Sequence, residues 1–81
     1  MREFVLLCFG IARDITGKRK LQLEATPGLT AGELQQTLLG EYPKFRTLAS
    51  LKLAVNQVYA NEDTPIHEGD EVAIIPPVSG G

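Results

Sequence analysis

Two nearly unbroken apolar runs, at residues 3–9 and 71–75, restrict the fold of this 81-residue chain more than any other feature. A half-exposed strand alternates apolar and polar residues, so the unbroken run at residues 3–9 predicts a strand that is covered on both faces. The two runs lie near opposite ends of the chain, and both need a buried place. We therefore expect them to lie side by side at the centre of a single sheet.

Shorter patterns supply the remaining strands. Residues 20–24 and 51–55 alternate apolar and polar side chains, which predicts two half-buried strands. Asn56 and Gln57 predict a tight turn, since Asn tolerates left-handed backbone angles. This turn would return the chain into a short strand at residues 58–59.

One helix is expected in the middle of the chain. Thr30 and Glu33 fit a capping box, in which each side chain accepts a hydrogen bond from the backbone N–H of the other residue. Gly40 suits the end of this helix. Residues 11–16 are expected to form a loop, and residues 43–50 an irregular segment.

The order of these elements is strand, strand, helix, strand, short strand, strand. One helix cannot cover two sheets, so the order predicts an α+β protein with one mixed five-stranded sheet and the main helix across one face. This arrangement is the ubiquitin-like β-grasp. The length suits one domain, and we assign residues 1–76 to it and residues 77–81 to an extended, flexible C-terminal tail.

The charge balance argues against nucleic acid as a partner. Ten acidic and eight basic residues give a net charge of −2, whereas proteins that bind phosphates depend on a basic surplus. The apolar run near the start is too short to span a bilayer or to form the core of a signal peptide. We therefore expect a cytoplasmic protein without a membrane partner.

The side chains offer little for catalysis. Cys8 is the single cysteine and lies inside an apolar run, where it is expected to be a small buried hydrophobe. His67 is the single histidine and stands beside a turn, where it is expected to be exposed. Without further histidines or cysteines, a zinc site has no ligand set. We therefore expect neither a metal nor a bound cofactor on this chain.

The last six residues are suited to extension and access. Two prolines lack a backbone donor and fix φ, so the sheet cannot continue past Ile75. Two terminal glycines have no Cβ, so they fit a channel too narrow for any other residue and leave the final carboxylate unhindered. This tail segment is the candidate functional site and comprises Pro76, Pro77, Val78, Ser79, Gly80 and Gly81.

Three motifs carry a resemblance to a known family. They are FGIARDITG at residues 9–17, AVN at residues 54–56, and GDEVA at residues 69–73, followed two residues later by PPVSGG at residues 76–81. Together with the β-grasp order, they resemble the MoaD-like sulfur carriers, which are the small subunits of molybdopterin synthase. Within the first motif, a glycine and an aspartate replace the usual alanine and glutamate of the family.

The resemblance implies a carrier subunit whose partners supply the catalytic side chains. It implies that an adenylyltransferase similar to ubiquitin-activating enzymes uses ATP to adenylate the carboxylate of Gly81, and that sulfur replaces AMP to leave a thiocarboxylate. It also implies that the large catalytic subunit, in a heterotetramer, accepts the tail and transfers the sulfur to the pyranopterin precursor of the molybdenum cofactor.

Docking to such partners would need an exposed apolar patch near the tail. The five residues beyond Pro76 span at most about 17 Å, so the partner must bind close to the domain. Phe9, Tyr59 and Ile75 are the apolar candidates, and the resemblance implies that these positions lie at partner interfaces. Arg13 would add a charged contact.

Three alternatives remain open from the sequence. The chain could carry sulfur for another pathway such as thiamine synthesis, or it could be a ubiquitin-like modifier that is joined to lysines of target proteins. Both would use the same Gly-Gly end. The third alternative is a binding module with a passive tail.

Overall fold

The computed structural model describes residues 2–47 and 51–75, so the tail segment lies outside the described residues. Within these ranges the chain forms one sheet, two α-helices and one 3₁₀ helix. In chain order the elements are β1 (Glu3–Cys8), α1 (Ile11–Thr16), β2 (Lys20–Glu24), α2 (Ala31–Glu41), a 3₁₀ helix (Pro43–Thr47), β3 (Lys52–Val55), β4 (Val58–Tyr59) and β5 (Glu71–Ile75).

The two apolar runs meet at the centre of the sheet, as predicted. The strand order is β2-β1-β5-β3-β4, and β5 occupies the middle position. β1 runs parallel to β5, with Leu6 in register with Val72, whereas the other pairings are antiparallel. The mixed five-stranded sheet and the main helix of the predicted β-grasp are therefore present.

The two faces of the sheet differ in burial. The inner face is fully buried and carries Phe4, Leu6, Cys8, Leu53, Val55, Val72 and Ile74. On the opposite side of the two central strands, Val5, Leu7, Ala73 and Ile75 are only half-buried. The prediction that the strand at residues 3–9 is covered on both faces was wrong, because α2 packs on the inner face and no second layer of the described chain covers the other.

The main helix begins where the capping box predicted it. The Thr30 hydroxyl accepts a hydrogen bond from the Glu33 backbone N–H at 3.3 Å, and the Glu33 carboxylate accepts one from the Thr30 N–H at 3.2 Å. Helix α2 buries Leu34 and Leu38 against the inner face. It continues one residue past Gly40, and the Tyr42 N–H closes it by donating to the Leu38 carbonyl oxygen at 2.8 Å.

The segment that was expected to be a loop is helix α1. Its side chains reach the core, since Ala12 is completely buried and Ile15 packs against the buried cluster. Gly17 ends it in the left-handed conformation, with φ of 78° and its N–H bonded to the Arg13 carbonyl oxygen. The expected irregular segment likewise contains the 3₁₀ helix, which buries Phe45. No helix in the described ranges is long and apolar enough to cross a membrane.

Candidate functional site

The candidate tail begins at the middle of the sheet. β5 ends at Ile75, which lies opposite Lys52 at the start of β3, and β1 ends on the other side of β5. Residues 76–81 follow Ile75 directly. The roles predicted for these six residues fall outside the described part of the chain and stay predictions, but their point of attachment is fixed by two neighbouring strands.

The half-buried side of the sheet, which we call the outer face, presents an apolar row beside this point. Strand register places Leu7 opposite Ala73, Ala73 opposite Ala54, and Ala54 opposite Tyr59. Side chains of directly opposed residues project on the same face of a sheet. The row therefore crosses four strands and ends at an aromatic ring.

Tyr59 is exposed over 68% of its surface at the far end of that row. The Lys52 ammonium group lies 6.0 Å from the centre of its ring, a distance at which a cation is attracted to an aromatic face. Lys52 also lies opposite Ile75. A positive charge and an aromatic ring thus stand next to the last described residue of the central strand.

Phe9 is the second exposed aromatic residue of this region. It directly follows Cys8, the last residue of β1, which is in register with Ile74 of β5. Phe9 therefore lies at the end of the sheet where β5 leads into the tail. Its ring is 54% exposed, although an aromatic side chain of this size would gain stability from burial.

The predicted partner-interface residues therefore separate into two groups. Tyr59 and Ile75 lie on the outer face, in register with the middle and the end of β5, and Phe9 follows β1 at the end of the sheet where the tail begins. Arg13 is exposed on α1, which begins two residues after Phe9. In the described ranges, no ion pair or side-chain hydrogen bond of Arg13 joins it to that face.

Two further exposed apolar residues were not identified from the sequence. Ile11 opens α1, two residues after Phe9, and is 45% exposed. Val58 on the edge strand β4 is 69% exposed, but its register through Val55 to Val72 places it at the beginning of β5, away from the tail. The sequence signal for α1 was the three-residue spacing of Ala12 and Ile15, which places both on one helical face. With α1 taken as a loop, Ile11 had no defined position beside Phe9.

The opposite end of β5 is held by polar side chains. Asn56 and Gln57 adopt positive φ angles of 51° and 71°, which confirms the predicted tight turn. The Asn56 side chain donates to Asp70 Oδ1 at 3.0 Å and accepts from the Glu71 N–H at 3.0 Å. Asn from the AVN motif thus binds Asp and Glu of the GDEVA motif, and both motifs have a structural role here.

Asp70 accepts a hydrogen bond at each of its two carboxylate oxygens. The His67 backbone N–H donates to Oδ2 at 2.7 Å. This bond, followed by the one from Asn56, holds the pKa of Asp70 below its ordinary value. The His67 ring itself is exposed, with Nδ1 3.9 Å from Asp70 Oδ2. Among residues 2–47 and 51–75, no three His, Cys, Asp or Glu side chains are placed to hold a metal ion.

The sheet order, the single capped main helix and the central last strand define a ubiquitin-like β-grasp protein. The sequence matches the ThiS family over residues 6–81. The chain therefore belongs to the ThiS family.

Curated relatives cover almost the whole chain. The chain is 35% identical to the molybdopterin synthase sulfur carrier subunit of Arabidopsis thaliana, with 98% of this chain and 83% of that protein aligned. It is 41% identical to the protein of the same name from Phaeosphaeria nodorum, with 98% and 91% aligned. For the one from Caenorhabditis elegans the identity is 34%, and both chains are aligned over their full length.

Solved structures confirm the fold. A putative molybdopterin converting factor subunit 1 from Pyrococcus furiosus superposes with a TM-score of 0.84 at 23% identity, covering 96% of this chain and all of that one. SAMP1 from Haloferax volcanii superposes with a TM-score of 0.78 at 24% identity, covering 98% and 99%. At these identities the likeness concerns the β-grasp architecture alone.

Proposed function

We propose that this chain is the sulfur carrier subunit of a molybdopterin synthase. The observation that carries the proposal is the family match, which runs through to Gly81, together with relatives of that name that align over nearly the whole chain. The central position of β5 supports it, because the strand that precedes the tail is anchored on both sides.

The proposed chemistry takes place at the carboxylate of Gly81. A carboxylate is a poor electrophile, so an activating partner uses ATP to convert it into an acyl-adenylate, with release of pyrophosphate. The outer sulfur of a persulfide donor then displaces AMP and forms an acyl disulfide with Gly81. A second thiol of the partner attacks the donor's sulfur, forms a disulfide with it and so supplies the two electrons that release the thiocarboxylate. In the active site of the large subunit the thiocarboxylate sulfur bonds to the pyranopterin precursor, and water hydrolyses the resulting thioester, which leaves the sulfur on the precursor and regenerates the carboxylate.

The outer face is the proposed docking surface for both partners. The tail reaches at most about 17 Å beyond Pro76, so an active site that receives Gly81 must lie close to Ile75. Phe9, Tyr59 and Ile75 offer exposed or half-exposed apolar area there, and such area marks protein interaction sites. Arg13 and Lys52 add positive charge at its margin.

Shared use of one tail has a consequence for the order of binding. The activating enzyme and the large subunit must each enclose the same six residues. Because the reach is short, both also need the same part of the outer face. We therefore expect the two partners to compete for the carrier, so that the carrier must leave one before it binds the other.

Intact-mass measurement tests the proposed function. The protein is incubated with an activating enzyme of the ubiquitin-activating type, ATP and a persulfide donor. We expect a mass increase equal to the exchange of one oxygen for one sulfur, located in the C-terminal peptide and absent when ATP is omitted. A known sulfur carrier, incubated in parallel with the same enzyme, is the positive control. If that carrier gains the mass and this chain does not, the proposal is contradicted.

Mass spectrometry of the protein isolated from cells distinguishes a sulfur carrier from a protein modifier. A carrier shows the thiocarboxylate at Gly81, whereas a ubiquitin-like modifier leaves branched Gly-Gly remnants on lysines of other proteins. Transfer of the sulfur to the pyranopterin precursor by the large subunit separates the molybdopterin pathway from thiamine synthesis. A passive tail would show neither modification.

A further inference from the structure

Strand β2 forms one edge of the sheet and has a free side. It pairs only with β1, so the side that faces away from β1 has no strand partner in the described chain. An exposed edge offers backbone N–H and C=O groups for pairing with another strand. Proteins often protect such an edge with charged residues, and β2 carries two, Lys20 and Glu24.

The pattern of hydrogen bonds between β2 and β1 identifies which backbone groups of β2 are free. The Cys8 N–H donates to the Arg19 carbonyl and the Ala25 N–H donates to the Arg2 carbonyl, both at 2.8 Å. In an antiparallel pair, bonded residues alternate with non-bonded ones. Residues 19, 21, 23 and 25 thus face β1, and the free edge presents the N–H and C=O groups of three residues, namely Lys20, Gln22 and Glu24.

These three residues are complementary to themselves. Lys20 and Glu24 stand at equal distances on either side of Gln22. When a second copy of β2 is laid antiparallel about Gln22, Lys20 of each copy faces Glu24 of the other, and the two Gln22 residues face each other. This register also brings together the residues whose backbone groups are free, and each such pair exchanges two hydrogen bonds.

The charge pattern of the monomer favours such a partner. Glu24 lies directly opposite Glu3 of β1, and like charges in opposed positions destabilise a sheet. In the described ranges, no lysine or arginine forms an ion pair with either carboxylate. The antiparallel copy would place its Lys20 on the other side of Glu24, where it reduces this repulsion.

The inner side of the edge is apolar. A groove of about 290 Å³ lies between β2 and α2. Its lining includes Leu21, Leu23, Leu29 and Tyr42, and the two β2 leucines are only half-buried. In the antiparallel register Leu21 of one copy faces Leu23 of the other, so the two grooves join and the apolar layer continues across the contact.

We propose that two copies of this chain associate through the free edges of β2, antiparallel and centred on Gln22. The contact makes one continuous sheet with both α2 helices on the same side. Because β5 runs antiparallel to β2, the two tails leave at opposite ends of that sheet. The outer face around Phe9 and Tyr59 stays open to other proteins.

Sedimentation equilibrium of the full chain over a wide concentration range tests this association. Lys20→Glu places glutamates opposite each other, and Glu24→Lys places lysines opposite each other. Each variant alone should dimerise about tenfold more weakly or worse, since both cross-strand pairs turn repulsive. An equimolar mixture of the two variants should regain association, because every facing pair is again of opposite charge.

Matched controls separate this contact from general charge effects. Lys52→Glu and Glu71→Lys change the net charge by the same amounts but lie on β3 and β5, away from the edge. Both should dimerise like the wild type. Gln22→Pro removes a free N–H from an edge position, where proline is tolerated, and should abolish the dimer while circular dichroism shows an intact fold.

Two results would overturn the proposal. The first is a wild-type chain that remains monomeric at millimolar concentration. The free edge of β2 would then be a site for an extended peptide of another protein rather than for a second copy. The second is self-association that persists in Lys20→Glu and is removed by Tyr59→Ser, which would place the contact on the outer face. Recovery in the mixed sample is an outcome that neither of these alternatives produces.

Discussion

The two ends of β5 are equally well buried on the inner face of the sheet, but they differ in the groups that surround them elsewhere. Val72 near the beginning and Ile74 near the end are both completely buried. At the beginning, Asn56 ties Asp70 and Glu71 to the neighbouring turn through side-chain hydrogen bonds. At the end, Ile75 lies among exposed apolar residues and leads into the tail. The strand thus has one end that is fastened to its own domain and one end that is open to other molecules.

This difference assigns separate roles to motifs that are adjacent in the sequence. GDEVA fixes the position of β5, whereas PPVSGG extends from it. A change at the fastened end should alter stability and leave partner chemistry intact, and a change at the open end should do the reverse. Five experiments test that separation.

Deletion of Gly81 should have the largest effect, and only on chemistry. It moves the terminal carboxylate back by about 3.5 Å, and misplacement of a reacting group by even 1 Å can slow a reaction about a hundredfold. We expect thiocarboxylate formation to fall at least that far, with the melting temperature unchanged. Intact mass and differential scanning calorimetry measure the two quantities. Wild-type yield in the shortened chain would show that the end is passive.

Leu53→Ala should destabilise both ends together. Leu53 is buried on the inner face opposite Ile74, and removal of such a side chain leaves a cavity that costs about 2–5 kcal/mol. Urea unfolding monitored by circular dichroism gives the free energy of unfolding. Leu51→Ala on the same segment is the control, because Leu51 is only half-buried and should cost clearly less.

Ile75→Lys should weaken partner binding and leave the fold intact. The side chain lies half-buried on the outer face, so a lysine there can keep its ammonium group in water. We expect the affinity for the large subunit to fall about tenfold or more, as measured by calorimetric titration. Glu71→Lys at the other end of the same strand should bind normally. Equal binding by both variants would remove Ile75 from the docking surface.

Asn56→Ala should lower stability without changing partner binding. It removes two hydrogen bonds and places alanine at a positive φ of 51°. Because the site is exposed, we expect a loss of about 1–2 kcal/mol in the free energy of unfolding. Asn56→Gly keeps the turn conformation and removes only the bonds, so it should lose less. A binding defect in Asn56→Ala would show that the two ends are coupled.

Lowering the pH should slightly reduce the free energy of unfolding through Asp70, which lies at the fastened end of β5. Hydrogen bonds from His67 and Asn56 lower the pKa of Asp70 in the folded state, so the folded protein binds this proton less readily than the unfolded chain does. The resulting stability is present above the ordinary pKa of an aspartate and is lost as the pH falls through the lowered value. Asp70→Asn should reduce this slope in urea titrations between pH 6 and pH 2, and an unchanged slope would argue against the effect.

Local patterns predicted the fold well. The capping box of Thr30 and Glu33 and the turn at Asn56 each involve residues within three positions of each other. All the residues that form these features are therefore visible in one short stretch of sequence. The central pairing of β1 with β5 followed from the apolar runs alone. The helix at residues 11–16 was missed because six residues span less than two turns, so its helical signal is limited to the single three-residue spacing of Ala12 and Ile15.

Contacts between side chains that are distant in the sequence could not be predicted from it. Asn56 and Asp70 are separated by fourteen positions, and no local sequence pattern predicts the hydrogen bond between them. The run at residues 3–9 predicted burial on both faces but has one half-buried face, because an apolar composition alone does not distinguish a half-buried face from a covered one. Tyr59 and Ile75 were identified correctly as exposed or half-exposed, but the Lys52 ammonium group beside the Tyr59 ring was not.

The central place of β5 also bears on how the chain matures. β5 leaves the ribosome after every other strand, yet β1 and β3 both need it as a neighbour. A nascent or truncated chain without it would expose two strand edges and the buried residues beneath them. Because the tail segment follows β5 in the chain, a molecule that carries the tail always carries the strand that its fold requires.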